Sequence, residues 1–110
     1  MKILALEHDP PGIIAVGQFN EALLKDEASR AWELYQAGII RELYFRVDRH
    51  TAVLILECAN VEEAQAVINT LPLVQARLIE FELIPLAAYP GFALLFSVES
   101  PPVAQATGAN

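Results

Sequence analysis

The sequence predicts an α+β fold of the ferredoxin-like kind: a βαββαβ sandwich, an antiparallel sheet carrying two helices on one face. Three observations predict it. Residues 79–84, Ile-Glu-Phe-Glu-Leu-Ile, alternate strictly, so a strand there sends Phe81 and Leu83 to one side and Glu80 and Glu82 to the other. Two further strand-like runs, 39–47 and 51–58, flank Asp48-Arg49 as a hairpin. Before and after that hairpin, apolar residues recur at helical spacing. A sheet covered by helices on one face only is expected to pair its other face with a second copy, forming a dimeric α+β barrel.

The first strand spans 1–7, with Leu4 and Leu6 on one face and Ile3, Ala5 and Glu7 on the other, and Asp9-Pro10-Pro11-Gly12 ends it. A helix begins near Phe19 or Asn20 and runs to Ala37. Leu23, Leu24, Glu27, Ala31, Leu34 and Tyr35 set its spacing, Glu21–Lys25 and Asp26–Arg30 are i,i+4 pairs on its wet side, and Gly38 stops it. Asn60-Val61-Glu62-Glu63 resembles a capping box opening a second helix over 61–70. The acidic strand covers 78–86. Residues 92–98 are expected as a short strand or an arm, which would suit exchange onto a neighbouring subunit. The domain is expected to occupy 1–96, and 97–110, rich in Ser, Pro, Ala and Gly, is expected as a flexible tail.

At 110 residues the chain suits one domain, which buries roughly 65% of its unfolded surface. The apolar fraction of 55% is high for a small monomer and points to self-association as a homodimer or larger homo-oligomer. No apolar run approaches the roughly 18 residues of a membrane span. The net charge of −7, without a basic cluster, argues against nucleic acid or an anionic membrane as partner. The one cysteine, Cys58, allows no intrachain disulfide, and the expected compartment is the cytoplasm. His8 and His50 lack a third ligand at suitable spacing, so no metal site is expected. No Gly-rich phosphate loop suggests a cofactor either. Trp32 and Tyr35 are expected to pack the first helix against the sheet or a partner.

A two-residue hairpin turn pairs Arg46 with Thr51 and Tyr44 with Val53. Leu43, Phe45, Ala52, Leu54, Leu56 and Cys58 then form a core under the helices. The uncovered face collects Glu42, Tyr44, Arg46, Thr51, Val53, Ile55 and Glu57, joined by Glu7, Glu80 and Glu82. Desolvated in a barrel, such carboxylates suit proton transfer next to a carbonyl. Arg46 suits a substrate carboxylate. Tyr44, Glu7, His8, His50 and Glu57 complete the candidate substrate-binding set. Glutamates near a sheet edge also serve solubility alone, and Arg46 beside an acid is also an ordinary ion pair.

Asp26-Glu27, Leu34 and Gly38, then Arg41, Leu43, Arg46 and His50, then Val61 and Ala64, recur in a known pattern. It is clearest in Leu71-Pro72-Leu73, in Glu80 and Glu82, and in Pro85-Leu86-Ala87-Ala88-Tyr89-Pro90. The pattern resembles the muconolactone Δ-isomerase family over about two-thirds of the chain. The resemblance implies a ferredoxin-like fold paired into barrels and assembled into rings. It also implies a proton-transfer enzyme that shifts a double bond in a carboxylated lactone without metal or organic cofactor. The implied roles are Glu80 or Glu82 as proton carrier and Arg46 as carboxylate anchor. Val74-Gln75 departs from the family after Leu-Pro-Leu, as does Ala88-Tyr89 near the final proline. The first strand has Ile3, Ala5 and Glu7 where the family has an inward-facing His and Lys. Two other functions fit the same barrel: a non-catalytic oligomeric protein, structural or binding a small ligand, and a haem- or quinone-handling monooxygenase.

Overall fold

A computed structural model describes residues 1–11 and 19–96. Its four strands are β1 (Lys2–His8), β2 (Ile40–Phe45), β3 (Ala52–Glu57) and β4 (Glu80–Pro85). They form one antiparallel sheet in the order β2-β3-β1-β4. Helices α1 (Glu21–Gln36) and α2 (Val61–Ile68) join them in the expected βαββαβ order. Among the described residues no helix is long and apolar enough to cross a membrane.

The caps that end the helices are legible in the residues. Asn20 accepts the backbone N–H of Leu23 through Oδ1 at 2.8 Å, satisfying one of the free donors that open α1. At its other end Gly38 stands at φ +80°. The Gly38 N–H bonds the Tyr35 carbonyl and the Ile39 N–H that of Leu34, the two bonds of a Schellman close. Asn60 caps α2 in the same way, taking the Glu63 N–H at 2.8 Å, while Glu63 Oε1 accepts the Ala59 N–H at 2.7 Å.

One element is absent from the sequence expectation. Leu71-Pro72-Leu73 opens a one-turn helix, α3 (Pro72–Gln75), with the proline in its first turn, where the missing N–H costs nothing. Arg77, at φ 62°, closes it in the left-handed conformation usually left to glycine. Residues 92–98, expected as a strand or arm, begin inside a 3₁₀ segment, Gly91–Phe96, whose Phe92, Leu94, Leu95 and Phe96 are all exposed. The rest of that stretch and the tail expected over 97–110 lie outside the described residues.

The core lies between the sheet and the helices. Ile3, Ala5, Leu54 and Leu56 meet Leu34 of α1, Ala64 and Ile68 of α2, and Leu71, Leu73 and Phe81. α1 leans toward β2 and α3, and α2 toward β4. The hairpin register is as expected, with Tyr44 opposite Val53 and the Arg46 N–H bonded to the Thr51 carbonyl at 3.0 Å. One expectation fails at the β2 edge, and another loses one of its two alternatives. Leu43 and Phe45 share the helix-facing side with Leu54 and Ala52 but are half exposed rather than packed, because α1 does not reach over them. Trp32 and Tyr35 stack on each other at 5.9 Å and are also exposed, so they do not pin α1 to the sheet. Arg30 turns to Glu33 at 2.9 Å and to Thr70 Oγ1 at 3.0 Å, and the described residues hold no Asp26–Arg30 pair.

Candidate active site

The gap that α1 leaves over the β2–β3 side of the sheet is an apolar cavity of about 410 Å³. Small-molecule sites run from roughly 300 to 1,000 Å³. Leu24, Ala28 and Ala31 line it from α1, Leu43, Tyr44 and Phe45 from β2, and Ile79 and Phe81 from the opposite wall. Besides Tyr44, its ionisable lining consists of two carboxylates, Glu7 and Glu27.

The fold places both. Glu7 ends the run Ile3, Ala5, Glu7 on the helix-facing side of β1, opposite Phe81 of β4. Its Oε1 accepts the Ala52 N–H at 2.8 Å. Glu27 lies on the buried stripe of α1, one turn from Leu23 and one from Ala31. Its Oε1 accepts the Leu73 N–H at 2.8 Å, a free donor of the α3 first turn for which Leu71 offers no side-chain cap. Burial pushes the pKa of Glu7 up; the Ala52 N–H opposes this, Asp9 adds to it, and His50 opposes it. Burial likewise raises Glu27, against the Leu73 N–H, and the charge of Glu7 raises it further. Both acids thus line one apolar cavity, each with its carboxyl held above the ordinary carboxylate range chiefly by burial.

The other predicted residues do not gather there. Glu7 was expected on the uncovered face with Glu80 and Glu82; cross-strand pairing with Phe81 puts it on the opposite, helix-facing side. Glu80 and Glu82 do lie on the uncovered face, exposed, opposite His8 and Leu6. His8 Nε2 stands 4.0 Å from Glu80, and its Nδ1 is 3.0 Å from the Asp9 carbonyl oxygen. Tyr44 donates its hydroxyl to Glu42 at 2.8 Å, which raises its pKa. Arg46 is exposed and held by both carboxylate oxygens of Asp48, at 2.8 and 2.6 Å. His50 packs on Phe45 with ring centroids 4.3 Å apart, beside the cavity wall. Glu57 is bonded by the α-amino group of Met1 at 2.6 Å, which lowers its pKa. Among the described residues no three His, Cys, Asp or Glu side chains converge to hold a metal ion.

Glu27 is the functional candidate that motif reading missed. Its signal was a lone acid inside the apolar stripe Leu23, Glu27, Ala31, Leu34, where an ordinary helix would bury an aliphatic side chain.

The raised pair sets a pH dependence. Both folded-state pKa values lie above the ordinary 4.5. Their contribution to stability is therefore complete below about pH 4.5 and is lost as pH rises through the folded values. Glu57 and Asp48, both lowered, act in the other direction at more acid pH. Glu7→Gln and Glu27→Gln should thus gain melting temperature relative to the parent on going from about pH 4.5 to about pH 8. Circular-dichroism melts at the two pH values check this, and a constant difference would mean that neither acid is desolvated.

A profile of the family described as muconolactone delta-isomerase matches residues 17–91. No curated protein sequence matches. Among solved structures, the chain is similar to the crystal structure of muconolactone isomerase at 3.3 Å resolution. The two are 18% identical, the alignment covers 92% of this chain and 98% of that one, and the TM-score is 0.62, a likeness of fold.

Proposed function

The chain belongs to the muconolactone delta-isomerase family, and from that premise we propose that it moves a carbon–carbon double bond in a small unsaturated lactone by proton transfer, with Glu27 and Glu7 as the carriers. The observation that carries this reading is the placement of both acids, each half-buried and each raised by burial, in one apolar cavity of metabolite size. One carboxylate takes a proton from the γ-carbon, at the far end of the double bond conjugated with the lactone carbonyl, and the charge spreads into a dienolate. A proton is then delivered to the carbon next to the carbonyl, so one C–H bond breaks, another forms and no electrons are gained or lost. The reaction asks for no metal and no organic cofactor, and the compartment that suits it is the cytoplasm.

Ultraviolet-monitored isomerisation of an unsaturated γ-lactone by purified, EDTA-treated protein tests the reading. Turnover above the buffer rate is expected, and its absence across neutral and carboxylated lactones would overturn it.

A second reading rests on the uncovered sheet face. Leu4, Leu6, Val53, Ile55 and Ile84 form a half-buried aliphatic stripe there, bordered by Glu80, Glu82, His8 and Tyr44. A second copy on that stripe would close a barrel and enclose those acids, making Glu80 or Glu82 a proton carrier instead. The exposed Phe92, Leu94, Leu95 and Phe96 suit the same association. Truncation after Pro90 should then lower the mass measured by light scattering, and an unchanged mass would remove the segment from the assembly.

A further inference from the structure

A second cleft, of about 400 Å³, opens between α2, α3 and the start of β4. It shares a wall with the apolar cavity, since Ile79 and Phe81 line both. The two differ in chemistry. Arg77, Gln65 and Asn69 line the second cleft together with the apolar Ile68 and Val74. Gln65 Nε2 donates to Asn69 Oδ1 at 2.8 Å, which fixes the two amides and leaves the Asn69 amide nitrogen as a donor. Glu80 also borders the cleft, but β4 sets it opposite His8 on the uncovered face, with Oε1 4.0 Å from His8 Nε2.

Arg77 is an unusual residue for its place. At φ 62° it takes the left-handed turn that ends α3, which glycine fills without strain. Its charge is not needed as a cap. The last carbonyls of both helices already accept backbone N–H groups, Gln65 from Asn69, Ile68 from Leu71, Leu73 from Leu78 and Val74 from Arg77 itself. Arg30 pairs with Glu33 and Arg46 with Asp48; among the described residues Arg77 pairs with no acid.

We propose that this cleft is a second binding site, which takes a small organic carboxylate with its acid group on Arg77 and its apolar body on Ile68, Val74 and Phe81. A guanidinium offers paired N–H donors that match both oxygens of a carboxylate, and the Asn69 amide adds a neutral donor beside it. The apolar side chains reward a hydrocarbon body that a bare inorganic anion lacks. The volume lies in the range of small-molecule sites. The proposal stands apart from the Glu7–Glu27 reading, which uses the other side of the shared wall.

Benzoate is the probe, with benzamide as its neutral counterpart and inorganic phosphate as an anion without an apolar body. Each is titrated calorimetrically into the full chain at about pH 7.5. Benzoate is expected to bind with a Kd of about 1 mM, and the other two at least about tenfold more weakly. Arg77→Gly should abolish benzoate binding. The same substitution relieves the left-handed turn, so the variant should melt no lower than the parent, which separates a lost contact from a lost fold. Glu27→Gln, on the other side of the wall, should leave the benzoate Kd within about twofold. Benzoate binding that survives Arg77→Gly and tightens in Glu27→Gln would put the ligand in the first cavity and overturn the proposal. Benzamide or phosphate binding as tightly as benzoate, or no benzoate binding up to about 20 mM, would overturn it as well.

Discussion

Glu27→Gln is expected to lower turnover by about 10³-fold, within the 10²–10⁴-fold typical of a positioned acid or base, while leaving the fold intact. The substitution is close to isosteric. The amide oxygen can still accept the Leu73 N–H that Glu27 now accepts at 2.8 Å, so the first turn of α3 keeps its cap. The amide cannot carry a proton between carbons. Because burial opposes ionisation of Glu27, the variant should also melt no lower than the parent at neutral pH. This separates chemistry from scaffolding, since a carboxylate that served only to cap α3 would lose nothing on becoming an amide. Initial rates with a circular-dichroism melt decide the matter. Turnover above about one-tenth of the parent would take Glu27 out of the mechanism. Loss of turnover in Glu82→Gln instead would move the site to the uncovered face.

Why Glu27 had to be found in three dimensions follows from what a sequence pattern carries. Alternation identified every strand, and the Asn20 and Gly38 caps bounded α1 to within a residue or two. Alternation also grouped Ile3, Ala5 and Glu7 correctly on one side of β1, yet it does not say which side the helices cover. That is decided by register across the sheet: Glu7 faces Phe81 and Ala5 faces both Leu54 and Leu83, all on the helix side. Placing Glu7 with Glu80 and Glu82 grouped like charges and set the whole Ile3, Ala5, Glu7 run on the wrong side of the sheet. The cavity was equally hidden. Leu43 and Phe45 pattern as core residues, and only the path of α1 leaves them uncovered. The partner of Glu27 sits in α3, a single turn too short for periodicity to reveal, with Pro72 as its one local sign.

The same path of α1 makes the helix-facing side of the sheet energetically uneven, and a pair of leucines should expose it. Leu56 and Leu43 both point to that side, yet Leu56 is 0% exposed and Leu43 46%. Leu56 is surrounded by the core of Ile3, Leu34 and Ile40, so Leu56→Ala removes buried methyl groups and leaves a void. The expected loss is about 3 kcal/mol, inside the 2–5 kcal/mol range for such truncations and a large share of a small domain's stability. Leu43→Ala removes area that borders the cavity and solvent, and should cost about 1 kcal/mol or less. Urea titrations of both variants measure the difference. Equal losses would mean that Leu43 is as well packed in solution as Leu56, which the path of α1 within one chain does not provide. Something else would then have to fill the mouth of the cavity, and the exposed Trp32, Tyr44 and Phe45 around Leu43 would mark where a second copy does so. Unequal losses would leave that mouth open to the substrate, as the proton-transfer reading requires.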